Sequence, residues 1–199
     1  MGWNRQNCSG RKLANAQITF AIQMGAIVLG LVALPHAVAQ SGSPSATKAT
    51  PKAPGSELLP ASARHAAPDF NLSDLDGKQL NLAQYRGKVV LLDFWAVDCG
   101  GCVIEVPWYV EFDQKYRDKG LVVVGIDMYG EAPSYIRPFM SKSHMQYRVA
   151  VGNDDIGKRF QADSLPKTLL IDRQGQIAVS HVGIVDKKSF EQDLQKLLQ

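Results

Sequence analysis

Cys99 and Cys102 stand three apart with only Gly100 and Gly101 between them. Thiols at that spacing can close a disulfide within one helical turn, and the loop so closed restrains little of the unfolded chain. Such a pair is a poor staple and a good redox couple. It follows an apolar run, Val89-Val90-Leu91-Leu92-Asp93-Phe94-Trp95-Ala96, that reads as a buried strand, and it precedes a helical pattern interrupted at Pro107. The joint puts the first thiol at a helix N-terminus, where free N–H groups and the helix dipole favour a thiolate. Cys99, expected to be the more exposed of the two, would attack a partner disulfide and form a mixed disulfide. Cys102, one turn in, would resolve it. The thiols carry the electrons, so no cofactor is required.

Two acids stand where they could manage protons. Asp93 lies in the apolar strand, six residues before Cys99; burial raises a carboxyl pKa towards neutrality and fits it for proton exchange. Glu105 is three residues after Cys102, on the same helical face. Trp95 reads first as a core aromatic and second as a platform for partners, and Trp108, Tyr109 and Phe112 read as packing at helical spacing. Paired thiolates would also suit copper(I). That carrier reading lacks a third ligand, because His144 and His181 have no ligand spacing to one another, and no metal site is expected.

Elements that alternate along the chain must position these residues. Phe70, Leu72 and Leu75 lead into the hairpin signal Asp76-Gly77, and Leu80 and Leu82 continue the second arm. Val89–Trp95 is the central strand. A helix runs from Cys99 to about Lys119, with Val103, Val106, Val110 and Phe112 as its apolar positions, and stops at Gly120. Leu121–Asp127 is a second buried strand. Residues 129–145 read as a loop and helix, 147–151 as a short strand, and 154–160 as a short helix opened by acids. Thr168–Asp172 and Gln176–Val182 form a hairpin about Arg173-Gln174-Gly175, and Lys187–Leu198 is a terminal helix. This order describes an α/β sandwich with a mixed central sheet.

The N-terminal third has a different character. A basic start ends at Lys12, Ile18–Leu34 is apolar apart from Thr19 and Gln23, and Ala37-Val38-Ala39 offers a cleavage site. Residues 1–39 read as a signal peptide, with an uncleaved membrane anchor as the alternative. Residues 40–67, rich in Ser, Ala, Pro, Thr and Lys, read as a flexible linker, and the folded domain is expected over 68–199. The formal charge of +3 comes from 22 basic and 19 acidic residues. Three of the basic residues, Arg5, Arg11 and Lys12, lie in the leader, so the remainder balances at 19 against 19. No nucleic-acid partner is expected from such a balance. Cys8 falls in the leader, which leaves Cys99 and Cys102 alone in an exported chain, as an oxidising compartment such as the periplasm would suit.

Asp93-Phe94-Trp95-Ala96 followed by Cys99, Cys102 and Pro107 is similar to the active-site signature of thioredoxins. Ala67-Pro68-Asp69-Phe70, Asp76-Gly77, Tyr85-Arg86-Gly87-Lys88, Glu105, and Leu165-Pro166 before Thr168-Leu169-Leu170-Ile171-Asp172 resemble the TlpA/ResA family of exported thioredoxin-like proteins. The resemblance spans 67–199 and its motifs keep the expected order. It implies a thioredoxin fold with an N-terminal β-hairpin extension and a helical insertion. It further implies a cis peptide at Leu165–Pro166 facing the dithiol, with Trp95, Gly100, Gly101, Leu165 and Pro166 on the substrate side. In thioredoxins the aspartate matching Asp93 is proposed to deprotonate the resolving thiol. The implied activity is thiol–disulfide oxidoreduction on exported protein thiols and disulfides. A membrane electron-transfer protein of the thiol-reductase type would be a partner; some members of the family reduce apocytochrome c thiols before haem attachment. A reductase is expected, with an oxidase or isomerase using the same residues as the alternative, and the chain is expected to be a monomer. Asp98 stands where the family usually has Trp, the Gly100-Gly101 dipeptide carries no proline or charge, and Lys167 replaces a small polar residue. These departures border the predicted substrate face and bear on redox potential and partner choice.

Overall fold

The computed structural model describes residues 58–199. The leader at 1–39 and residues 40–57 of the expected linker lie outside them.

Every residue of β4, Val89–Trp95, is buried, and its side chains alternate between two clusters. Val89, Leu91 and Trp95 point one way, and Val90, Leu92 and Phe94 the other. A strand covered on both faces reads as a continuous apolar run, which is why its interruption by Asp93 matters. β4 pairs in parallel with β5 (Leu121–Asp127), and β5 in parallel with β6 (Arg148–Val151). On its other side β4 pairs antiparallel with β7 (Lys167–Ile171), which turns back into β8 (Gln176–Val182). A two-residue β1, His65–Ala66, completes the order β1-β8-β7-β4-β5-β6.

Helices α1 (Gly100–Tyr116), α2 (Pro133–Lys142) and α4 (Lys187–Leu198) supply the cluster on the Trp95 face: Val106, Tyr109 and Phe112 from α1, Ile136 from α2, Phe190 and Leu194 from α4. The opposite face is covered by a separate hairpin, β2 (Asn71–Ser73) with β3 (Gln79–Asn81), and by the short α3 (Asp154–Arg159). Gly77 takes φ 76° in the hairpin turn, and Gly120 takes φ 97° where α1 and its terminal 3-10 turn stop.

The structure corrects two sequence readings. Val103, one of the apolar positions of α1, is 39% exposed; the buried stripe is Cys102, Glu105, Val106, Tyr109, Phe112, Asp113 and Tyr116. That stripe keeps helical spacing but contains two acids, so hydrophobicity alone misplaces the face. Residues 58–67, assigned to the linker, pack on the sheet. The Leu59 N–H donates to the Ala178 carbonyl, β1 pairs with β8, and Arg64 meets Asp172 at 3.1 Å. Their composition resembles a linker because the segment is held by backbone hydrogen bonds and one ion pair rather than by a large apolar face.

Candidate active site

Cys99 is the N-cap of α1. Its Cα lies 5.3 Å from that of Cys102, and the two are joined as a disulfide. The Cys102 N–H points at Cys99 Sγ at 3.4 Å, and the Val103 N–H donates to the Cys99 carbonyl at 3.1 Å. The sulfur of residue 99 thus occupies the position of a capping oxygen, where the first-turn amides favour negative charge once the disulfide is reduced. In this disulfide state Cys99 is no more exposed than Cys102: each is 1% exposed.

Gly101 explains part of that enclosure. A Cβ placed on it would stand 3.0 Å from Pro166 Cδ and 3.4 Å from Ile184 Cγ1, so the Pro166 ring packs directly on the CxxC loop. Gly100 has open space at the same position. The Leu165–Pro166 peptide is cis, and the Pro166 carbonyl accepts the Gly183 N–H. Leu165 is half-buried. The structure thus brings Cys99, Cys102, Gly101 and Pro166 together in one neighbourhood, with Gly100 and Leu165 adjoining them in the chain. Trp95 is a correction: it is fully buried beneath that neighbourhood, with its ring 5.4 Å from Phe139, and serves as core rather than as a partner platform. Lys167 is another. It is only 5% exposed and sits opposite Phe94, so its side chain lies on the β2–β3 side of the sheet, away from the dithiol.

Asp93 and Glu105 are brought together in the interior between β4 and α1. Asp93 faces the α1 side of β4 and is 1% exposed; Glu105 is fully buried. Burial pushes the Asp93 carboxyl well above its usual range, and the neighbouring Glu105 pushes it further. Burial pushes Glu105 up to about 7, against the opposing pull of the Val185 N–H, which donates to Oε1 at 2.7 Å. Asp93 Oδ1 and Glu105 Oε2 have no hydrogen-bond partner in the protein. The Tyr109 hydroxyl, close enough to hold Glu105 down as a dipole, is engaged with Thr168 Oγ1 at 2.8 Å. Thr168 lies opposite Asp93 in the β4–β7 ladder. Two buried carboxyls, both raised from their ordinary range by desolvation, provide an acid and a base for thiol chemistry.

Sequence reading took Tyr109 only for packing and did not find Thr168. Position 109 is seven residues beyond Cys102 on the same helical stripe, which was a usable signal; the Thr168 register was not. Asp98 is exposed, and its Oδ1 accepts the Tyr135 hydroxyl at 3.0 Å. Among the described residues, no group of three His, Cys, Asp or Glu is arranged to hold a metal, and no helix is long and apolar enough to cross a membrane.

A mixed sheet, a helix capped by the first cysteine of a CxxC pair and a cis-proline packed against that pair define a thioredoxin-fold thiol–disulfide oxidoreductase. The Redoxin family model matches residues 62–198. The thiol-disulfide oxidoreductase ResA of Bacillus cereus is 32% identical over 133 residues, covering 66% of this chain and 76% of that one. The thioredoxin-like protein YneN of Bacillus subtilis is 33% identical over 129 residues, covering 64% and 76%. Among solved structures, one from Chlorobium tepidum assigned as a thiol:disulfide interchange protein DsbE superposes with a TM-score of 0.64 at 31% identity, over 68% of this chain and 97% of that one. The chain belongs to the Redoxin family and within it is a ResA/TlpA-like oxidoreductase.

Proposed function

We propose that this chain is an exported dithiol reductase of protein disulfides that works through a mixed disulfide at Cys99. The observation that carries the reading is Cys99 Sγ at the α1 N-cap, with Asp93 and Glu105 buried together between β4 and α1. In the dithiol form the Cys99 thiolate attacks one sulfur of a partner disulfide. The partner's other sulfur leaves as a thiolate and takes up a proton. Cys102 gives up its proton to a carboxylate, Glu105 or Asp93, and attacks Cys99 Sγ; the second partner sulfur is released, and Cys99–Cys102 is left oxidised. Two electrons pass to the partner, and a membrane electron donor returns two to this chain. Gly100, Gly101, Leu165 and Pro166 border the docking partner. The apolar, export-type leader supports a periplasmic location, and the resemblance to the TlpA/ResA family, some members of which reduce apocytochrome c thiols, suggests a place in preparing cysteines for cytochrome c maturation. A disulfide oxidase or isomerase is the second reading, because the same atoms run in either direction according to potential.

The test is trapping in the producing cell. Cys102→Ser should accumulate a Cys99-linked adduct with exported proteins, Cys99→Ser should accumulate none, and the wild-type dithiol should reduce insulin. An absence of adducts from Cys102→Ser would remove the nucleophile assignment. A reduction potential as oxidising as that of dedicated disulfide donors, rather than near that of thioredoxin, would favour the second reading.

A further inference from the structure

The turn Ala96–Cys99, which sets the nucleophile at the head of α1, is held from outside by a carboxyl pair that the scheme above leaves unused. The Val97 N–H donates to Glu131 Oε2 at 3.2 Å, and the Glu131 N–H donates to Asp127 Oδ2 at 2.9 Å. Asp127 ends β5 in register with Trp95, the last residue of β4; it is fully buried, and its Oδ1 has no hydrogen-bond partner. Glu131 is half-buried and shares a cleft with Asp98, Tyr129, Gly130, Ala132 and Tyr135. Within that cleft the Tyr135 hydroxyl donates to Asp98. The nucleophile's loop is therefore tied at two successive residues, Val97 to the segment that enters α2 and Asp98 to the first turn of α2 itself.

We propose that Glu131, backed by Asp127, is a positioning residue for Cys99: it holds the Val97 turn, and its negative charge makes the Cys99–Cys102 couple more reducing. This rests on the assignment of Cys99 as the redox nucleophile. The titratable groups facing Glu131 are Asp127 from β5, Asp98 from the loop before α1, and the phenols of Tyr129 and Tyr135; no basic side chain lines the cleft. Burial, opposed by the Val97 N–H and reinforced by Asp127 and Asp98, pushes Glu131 up to about 7. Above that pH Glu131 carries a negative charge on the turn that leads into Cys99, two residues before it, and below that pH the group is neutral. A nearby negative charge disfavours the thiolate. A dithiol form without thiolate stabilisation gives up its electrons more readily, the reverse of the strongly oxidising couples whose reduced form is stabilised.

Glu131→Gln keeps an acceptor for Val97 and removes the charge. The full chain and the variant are equilibrated with glutathione, in which two glutathione thiols reduce one Cys99–Cys102 disulfide to the dithiol and leave as one glutathione disulfide. At pH 8 the variant's equilibrium should move towards the dithiol by about threefold, the size of one half-buried charge interaction. At pH 5.5 the two proteins should coincide. Equal constants at both pH values, or the same offset at both, would overturn the proposal. A wild-type protein that reaches no equilibrium with glutathione would overturn the nucleophile assignment itself. A second measurement needs no variant. In the dithiol form the Glu131 carboxyl-carbon resonance should show a step tracking Cys99 ionisation that is missing from the disulfide form, as reciprocal coupling requires. Superimposable titration curves in the two forms would also overturn the proposal.

Discussion

Glu105 carries its carboxyl wholly out of solvent, with one oxygen bonded to the Val185 N–H and the other unpartnered. An unfolded glutamate ionises at its ordinary value, but this one holds its proton up to about 7. Between those two pH values the native state binds more protons than the unfolded state, so stability falls as pH rises and then levels off. Glu105→Gln removes that dependence. Thermal melts should show the variant gaining on wild type between about pH 4.5 and 7, by up to roughly 3 kcal/mol, with a constant difference above that. The same variant should resolve mixed disulfides more slowly near neutral pH in an insulin assay. A pH-independent difference in stability would show that the carboxyl is not raised. The two glycines of the CxxC loop separate in the same way. Gly100→Ala has open space and should stabilise α1 by about 0.5–1 kcal/mol. Gly101→Ala meets the Pro166 ring at 3.0 Å and should destabilise the fold and slow exchange with insulin. Equal melting temperatures for the two variants would contradict this packing.

At the scale of elements, the β2–β3 hairpin is fastened to β6 by one guanidinium. Arg148 reaches the Asp74 carboxylate at 2.7 Å and the Lys78 and Gln79 carbonyls, while the Leu75 N–H donates to the Val149 carbonyl. Burial pushes Asp74 up, but Arg148 and the Lys78 and Asp76 amides outweigh it and hold the carboxyl below its usual range. A depressed native pKa contributes stability above the unfolded value, and that stability is lost as acid carries the pH through the native one. Arg148→Ala should therefore cost about 2–3 kcal/mol in urea melts near neutral pH, and its deficit should shrink below about pH 4. Strands β5 and β8 and helix α4 were legible residue for residue, because each carries a clean apolar run or a helical stripe. The dithiol, Asp93 and Glu105 were legible because strand alternation and i+3 spacing put them on one side. Tyr109 with Thr168, and Asp127 with Glu131, were not. Their meeting depends on the register between strands distant in sequence and on a loop without periodicity. The full buried face of α1 was not legible for a related reason, since its stripe is partly acidic while Val103 and Ile104 face solvent.

For the molecule as a whole, the folded unit begins before the point where composition changes. The segment 58–67 covers the outer edge of β8, and Arg64 brings a cation to Asp172, whose side chain is 6% exposed. A chain starting at residue 68 would bare that edge and leave Asp172 to the Gln174 and Gln176 amides alone. It should be less stable than a chain starting at 58 by about 2–4 kcal/mol in urea melts. Identical midpoints would return those residues to the linker.

With both sulfurs enclosed beside Gly101, Pro166 and Ile184, a small thiol arriving by diffusion meets a covered disulfide and exchanges with it slowly. A docking protein brings contact area enough to shift that cover. Electron traffic through this chain is thereby paced more by recognition than by concentration: free thiols equilibrate with it slowly, and a docked partner does so fast.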